Sequence, residues 1–354
     1  MKHSKITKKR ALIITRRGRK SIVREVSESL RAIDKIGESK RAARRTGDSG
    51  IHSTKQMRNT ISDAQNFAKW VRDKHKILSL NDVKQEHYKS YIAHLQEKGV
   101  SNGHIRNIET SLRLLEKGIL KHSERSNSHL KRFEGFCPEI RLVTYQKNEN
   151  AQNRAYSPAE MQQIRTHCSP EVQKSVDLMQ NLGFRVRESV NVRVEHFVRN
   201  QEGWCLRIEN GAGITKGGRY REIPVSKEFE PRLERLLQNK SPEQRIVTVS
   251  STTVRDGVHA ACKKAGIEQV NRGTHGFRHA YARNRMEQLS TPAHQQMMNR
   301  ILENRENGRK SDYGILKAED KQLYNETKTI MDTIHGELGH GKDRWELAVR
   351  YLKF

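Results

Sequence analysis

Cysteine is scarce in this chain of 354 residues, and its four copies are scattered. Cys137, Cys168, Cys205 and Cys262 lie too far apart in sequence for a Cys-x-x-Cys pair, which excludes the metal and redox motifs of that spacing. The same scarcity argues against a small secreted fold held together by disulfides. A reduced cytosol is the expected compartment.

Long apolar runs are also missing from the sequence. Hydrophobic residues make up 34% of the chain and charged residues 31%, a balance typical of a well-solvated helical protein and not of a membrane protein. The apolar stretch at 11–14 follows basic residues, as in a secretory signal. It is too short for the apolar region of a signal peptide, which needs about 7 to 15 residues, so we expect neither secretion nor a membrane span.

Acidic residues are too few to balance the basic ones. Lys and Arg number 68 against 41 Asp and Glu, giving a formal net charge of +27. Residues 1–50 carry 16 basic against 5 acidic residues, and residues 51–150 carry 18 against 11. Such a surplus favours a polyanionic partner, most often nucleic acid. The N-terminal segment is interpreted as an arm that follows phosphates, with a poorly ordered, solubilising leader as the alternative.

Apolar residues that recur about every 3.6 positions predict an amphipathic helix at 21–36. The same spacing predicts a small helical module after it. Its helices are expected at about 54–76, 81–98 and 101–118, the last ending near Gly118.

Beyond a polar connection, a further helix should begin at Ser157, with Pro158 in its first position. Around Trp204 and around Ile223, apolar residues occupy every second position, as in β-strands, and a glycine-rich stretch lies between the two segments. This pattern predicts a β-hairpin or small meander. The predicted fold class is mainly α with a small antiparallel β-sheet. The predicted divisions are a basic arm with an amphipathic helix at 1–50, a helical domain at 51–122, a linker at 123–154 and a second domain at 155–354.

Three short clusters of arginine, histidine and tyrosine carry candidate chemistry. Each alone has an ordinary explanation: a surface ion pair, a basic helix face or a packed tyrosine. The candidates are Arg185 and Glu188 in NLGFRVRESV, His275 and Arg278 in THGFRHAYAR, and His340 and Tyr351 in ELGHGKDRWELAVRYL.

In this order and at these separations the clusters resemble the tyrosine recombinases, the phage integrase family, over about residues 53–354. The resemblance implies a helical SAM-like core-binding domain that contacts DNA, followed by the family's catalytic domain. The segment GITKGG at 213–218 resembles the hairpin that bears the family's catalytic lysine, which would be Lys216. Lys227 is the rival lysine, but it lacks neighbouring glycines that permit close approach to DNA.

The resemblance implies that Arg185 and Arg278 hold the non-bridging oxygens of the scissile phosphate, since two guanidiniums can offset the charge of a pentacovalent transition state. Tyr351 would attack phosphorus and form a 3′-phosphotyrosyl link. Lys216 would protonate the leaving 5′-oxygen. Because the covalent link retains the bond energy, neither ATP nor a metal ion would be required.

The remaining implied roles support this chemistry. His275 would assist proton transfer near the nucleophile, His340 would hydrogen-bond the phosphate, and Glu188 would orient the first arginine from behind. Tyr324 is the rival nucleophile, but it precedes His340 in the sequence. His279 could suggest zinc together with His275, yet the glutamate of an HEXXH motif is missing, so a packing role is expected.

Two departures from the family pattern stand out. The distance from Arg278 to His340 is long, with an insertion near 287–330 that is expected either as a surface excursion or as a contact with DNA or a neighbouring protomer. Only three residues follow Tyr351, so the tail by which many relatives couple their subunits would be short or missing.

The expected partners are double-stranded DNA, a homotetramer on synapsed sites, and an accessory DNA-bending or directionality protein. The last cluster resembles integrases of mobile elements, and the expected location is the cytoplasm, with the nucleoid. The alternatives are a DNA-binding regulator that keeps the fold without cleaving, and a type IB topoisomerase-like or hairpin-forming relative.

Overall fold

The computed structural model describes residues 21–47, 50–125, 127–144, 154–211, 213–215 and 218–352. The chain divides into two units, Met1–Glu149 and Asn150–Phe354. Among the helices of these described ranges, none has the length and apolar character needed to cross a bilayer.

The described part of the first unit is helical, and serine side chains begin several of its helices. Ser21 and Ser53 accept hydrogen bonds from the backbone amides of Arg24 and Gln56, which satisfies donors that a helix start leaves unpaired. The helices are α1 (Ile22–Arg31), α2 (Lys40–Arg45), α3 (Thr54–His75), α4 (Gln85–Glu97) and α5 (Asn102–Ser123), with a 3₁₀ turn at Leu80–Asp82.

Helix α1 is part of the core of this unit. Ile22, Val26 and Leu30 are buried in the same hydrophobic cluster as the inner faces of α3 and α5. Helix α1 comes close to α5 at Gly118, where a Cβ atom would lie 2.6 Å from the carbonyl oxygen of Ser29. The prediction that the last helix ends near Gly118 was therefore wrong: this glycine lets two helices touch, and α5 continues to Ser123.

Much of the segment expected as a linker also packs in the first unit. Leu130, Phe133, Phe136 and Val143 belong to its hydrophobic cluster. The Glu116 carboxylate accepts hydrogen bonds from the amides of Phe136 and Cys137, both at 2.6 Å. Large apolar side chains hold this polar stretch against the helices.

The second unit combines helices with one small sheet. Ser157 caps the first helix, as predicted, and it also forms a capping box with Glu160. The sheet has strand order β1-β2-β3, antiparallel throughout, with Leu206 opposite both Phe197 and Ile223. The elements are α6 (Pro158–Thr166), α7 (Pro170–Leu182), α8 (Val186–Ser189), β1 (Phe197–Asn200), β2 (Gly203–Ile208), β3 (Arg221–Pro224), α9 (Glu230–Leu237), α10 (Ser251–Lys264), α11 (His275–Leu289), α12 (Pro292–Glu306), α13 (Ala318–Glu337) and α14 (Trp345–Tyr351), with a 3₁₀ turn at Val194–His196.

The insertion near 287–330 contributes to the core of the second unit. Met298 and Ile301 of α12, within the insertion, are fully buried, as are Met331 and Ile334 of α13 just after it. Helix α12 packs against α13 and also against α14, the helix that ends at Tyr351. The expectation of a surface excursion does not hold, because this apolar face anchors the insertion in the core.

Candidate active site

A sharp turn after α7 places the first candidate pair. Gly183 adopts the left-handed conformation (φ 58°), and a Cβ atom there would lie 2.5 Å from the ring of Tyr281. Arg185 then caps α8, and Glu188 returns to accept the Arg185 backbone amide at 2.8 Å. The pair is consequently turned inward, with Glu188 only 2% exposed, and is not a surface ion pair.

The Glu188 carboxylate lies among three guanidinium groups. It accepts hydrogen bonds from Nη1 of Arg185 and of Arg221, both at 2.6 Å, and lies 3.7 Å from Nη1 of Arg278. Burial opposes its ionisation, but the charges of Arg221, Arg278 and Arg185 together hold the pKa of Glu188 below its usual value. Three positive charges thus face one negative charge, and the surplus suits an anion.

Arg278 lies at the centre of this site with no exposed side-chain surface. It donates to the carbonyl oxygens of Gly183 and Leu338, and its Nη2 lies 3.0 Å from Nε2 of His340. Burial, helped by Arg221 and Arg185, lowers the pKa of Arg278 to about 10, so it remains charged at neutral pH. Its Nε is buried and has no partner among the described residues.

The contact with Arg278 determines the tautomer of His340. A guanidinium can only donate, so Nε2 of His340 accepts and the proton of the neutral ring lies on Nδ1. Burial, followed by the charge of Arg278, lowers the pKa of His340 far below its ordinary value and keeps the ring neutral. Its Nδ1 is buried without a partner in the described part of the chain, which leaves a donor for a bound anion.

Tyr351 reaches the same cluster from the last helix. Its ring stacks on that of His279, with centroids 4.3 Å apart and 23° between the planes, and lies 5.6 Å from the ring of His340. The guanidinium of Arg278 lies 5.9 Å from the centre of the Tyr351 ring. The predicted packing role of His279 is therefore specific, because it packs on the candidate nucleophile.

His275 and Lys216 complete the predicted set. His275 begins α11 and is exposed; partial desolvation, and then the charges of Arg278 and Arg185, lower its pKa, which places it in the same positive field. Lys216 lies outside the described residues, within the β2–β3 connection whose flanking residues Gly211 and Gly218 form a bridge.

The two rival residues have other partners. Lys227 Nζ donates to the carbonyl oxygen of Glu202 and to Glu230. The Tyr324 hydroxyl lies 2.8 Å from Ser311 Oγ.

Sequence reasoning missed Arg221 and Glu337. Arg221 alternates with Ile223 along β3 and, like it, is buried. The signal in the sequence was a charged residue at a strand position where an apolar one is expected. Glu337 gave no such signal. Its buried carboxylate accepts from the Tyr281 hydroxyl at 2.7 Å and from Arg285 Nη2 at 2.6 Å, which ties the end of α13 to α11. In the described ranges, no three His, Cys, Asp or Glu side chains are grouped so that they could hold a metal ion.

Comparison with known proteins assigns the class. Residues 148–299 match the model described as the phage integrase family. This part of the chain belongs to that family, the tyrosine recombinases. No match was found among curated protein sequences.

Solved structures agree with this fold. A lambda integrase dimer bound to a COC′ core site superposes with a TM-score of 0.54 at 16% identity, over 88% of this chain and 75% of that chain. XerH site-specific recombinase in a pre-cleavage complex with difH superposes with a TM-score of 0.53 at 13% identity, over 94% of this chain and 91% of that chain. At these identities the likeness establishes a tyrosine recombinase fold.

Proposed function

We propose that this chain is a site-specific DNA recombinase that cleaves and rejoins duplex DNA through a 3′-phosphotyrosyl intermediate. One observation carries the proposal: four residues far apart in sequence form one connected cluster. Arg185 and Arg278 lie beside the Glu188 carboxylate, His340 contacts Arg278, and the Tyr351 ring lies beside that of His340. A DNA-binding protein without catalysis would not need a buried tyrosine against this surplus of positive charge.

Arg185 and Arg278 bind the non-bridging oxygens of the scissile phosphate. The phosphate carries one negative charge and the pentacovalent transition state gains a second, so fixed guanidiniums favour the transition state over the ground state. His340 adds the Nδ1–H donor that its contact with Arg278 leaves free for the phosphate. Glu188 holds both arginines in place without neutralising them.

The cleavage step balances as a substitution at phosphorus. The Tyr351 oxygen forms the new O–P bond while the bond to the 5′-oxygen breaks, and Lys216 gives that oxygen its proton. His275, kept neutral by its lowered pKa, takes part in removing the tyrosyl proton. Rejoining reverses these transfers, with a 5′-hydroxyl as the attacking group.

Access to the site requires a local rearrangement. The Arg278 side chain has no exposed surface, and Tyr351 is 8% exposed. A phosphate can reach the guanidinium only when the Tyr351 ring or the turn bearing His340 shifts. Helix α14 has only seven residues and carries Tyr351, so it is the element that we expect to move.

The assembly follows from the chemistry. Exchange between two duplexes needs four cleavages, so we propose a homotetramer on two synapsed sites, with a Holliday junction between the two strand exchanges. A mobile element is the proposed context, an accessory bending or directionality protein the proposed helper, and the nucleoid the proposed location. The first unit, which includes the basic residues of 1–20, would supply much of the non-specific affinity for phosphates.

The experiment begins with the DNA site. The Tyr351→Phe protein selects duplexes from a random-sequence pool, and the selected sites are rebuilt with a nick that lets the cleaved end diffuse away. Wild type should then form a covalent protein–DNA band in detergent that Tyr351→Phe lacks. Binding without any covalent band would indicate the regulator instead, and relaxation without exchange between two duplexes would indicate the topoisomerase-like alternative.

A further inference from the structure

Arg221 is a fully buried cation to which none of the proposed catalytic steps assigns a role. Its side chain has 0% exposure, yet it comes from β3, the strand directly after the Lys216 connection. A buried guanidinium is costly to desolvate, and it is tolerated only where several acceptors surround it.

The acceptors of Arg221 belong to different parts of the active site. Nη1 donates to Glu188 at 2.6 Å, and Nη2 donates to the carbonyl oxygens of Leu182 and Gly183 at 2.9 and 3.2 Å. Nε donates to the carbonyl oxygen of Glu337 at 2.6 Å. These acceptors lie in the turn before Arg185, in the helix that carries Glu188, and at the end of α13 just before His340.

The plane of the guanidinium is fixed as well. Its carbon lies 4.8 Å from the centre of the Phe184 ring, and a planar fork over an aromatic face cannot rotate without losing its hydrogen bonds. One rigid group therefore sets the distance between Glu188 and the turn bearing His340. Arg278 makes a second bridge beside it, from the carbonyl oxygen of Gly183 to that of Leu338.

We infer that Arg221 is a positioning residue of the cleavage reaction, which holds Glu188 and the Gly183 and Glu337 turns so that Arg185, Arg278 and His340 converge on one phosphate. This inference rests on the proposed recombinase function. Arg221 does not touch the phosphate itself, because its hydrogen bonds are directed to Glu188 and to backbone carbonyls.

The test compares cleavage of two chemically different scissile phosphates. Single-turnover cleavage is measured on the nicked, selected duplex with an ordinary phosphate and with a methylphosphonate, which lacks one negative charge and so depends less on arginines. Arg221→Met should slow cleavage of the phosphate by about 10²-fold, the usual loss when a fixed electrostatic contact is removed. Its loss on the methylphosphonate should be several-fold smaller, and duplex binding should be unchanged.

Matched variants separate positioning from folding. Arg165→Met removes a different arginine–carboxylate pair of the same unit, that of Arg165 with Asp177 at 2.7 Å, and should leave both cleavage rates unchanged. Arg221→Lys keeps the charge beside Glu188 without the fork and should recover part of the rate. It also serves if Arg221→Met does not fold, with folding checked by circular dichroism.

Three results would overturn the inference. Equal slowing on both phosphates in a folded variant would show that the arginines are not involved. Rescue by a 5′-bridging sulfur, a leaving group that needs no acid, would place the effect on Lys216 instead. Failure of Arg221→Met and Arg221→Lys to fold would assign the residue to stability alone. If wild type cleaves neither substrate, the proposed recombinase function fails instead.

Discussion

Replacing Glu188 by Gln should destabilise the second unit strongly, because this carboxylate is the counter-ion shared by the buried guanidiniums of Arg221 and Arg278 and the half-buried one of Arg185. Both carboxylate oxygens act as acceptors. The Arg221 and Arg278 side chains have no exposed surface, so water cannot solvate their charges when the carboxylate is removed. Removing one partner of a buried ion pair costs about 3 to 5 kcal/mol. For a unit of this size that corresponds to a fall in Tm of roughly 6 to 20 °C.

Scanning calorimetry of the full chain measures this shift. The matched control is Glu222→Gln, which breaks the exposed pair with Arg207 at 3.0 Å and should leave Tm unchanged. Inorganic sulfate should raise the Tm of Glu188→Gln more than that of wild type, because the uncompensated guanidiniums bind the anion. A fall of less than about 2 °C would refute the view that Glu188 holds the arginine cluster together.

The other predictions concern packing, protonation and salt. Gly118→Ala should lower the free energy of unfolding by about 1 to 3 kcal/mol in urea titrations, because its Cβ would lie 2.6 Å from the Ser29 carbonyl oxygen. The control is Gly336→Ala on α13, where a Cβ atom meets open space and should not destabilise the fold. Equal effects of the two substitutions would contradict the close contact of α1 with α5. Burial, and then the charge of His275, hold the pKa of His279 at about 3. Below pH ~6.5 the unfolded chain therefore gains a proton that the folded chain does not. The free energy of unfolding should fall by up to about 1.4 kcal/mol for each unit by which the pH is lowered. His279→Phe should reduce that slope between pH 7 and 5 in urea titrations, and an unchanged slope would show that His279 is protonated in the fold. Residues 1–20 hold nine basic and no acidic residues, and deleting them should reduce the slope of log DNA affinity against log salt by about 0.9 per lost phosphate contact. An unchanged slope would show that residues 1–20 do not contact phosphates. The deletion stops at residue 20 because a deletion to residue 46 would also remove α1 from the core.

The sequence alone could predict the order of elements and the residues that meet at the site. Ser157 with Glu160 marks a helix start, and alternation around Leu206 marks a strand, because both signals act over a few residues. Arg185, Arg278, His340 and Tyr351 could be chosen through their resemblance to the phage integrase family, which supplies a spacing that local rules do not.

What the sequence could not show depends on contacts between distant segments. In the sequence, Gly118 indicates a helix end, whereas in the structure it is the contact point with Ser29 of another helix. The insertion looks polar, although one apolar stripe joins α12 to the core. Arg221 and Glu337 are ordinary charged residues by sequence, and their importance lies in bonds to residues 33 to 116 positions away. Such pairs become visible only when the turns that carry them meet.

The identity of the nucleophile tests the account most directly. After wild type is trapped on the selected nicked duplex, digestion with nuclease and trypsin leaves a short nucleotide on one tyrosine of the nine in the chain. Cleavage after Arg350 places Tyr351 in the peptide of residues 351–353, whereas Tyr324 lies in the peptide of residues 322–328. We expect a mass shift on the first of these peptides only. A nucleotide on the Tyr324 peptide, or on any other tyrosine, would contradict it.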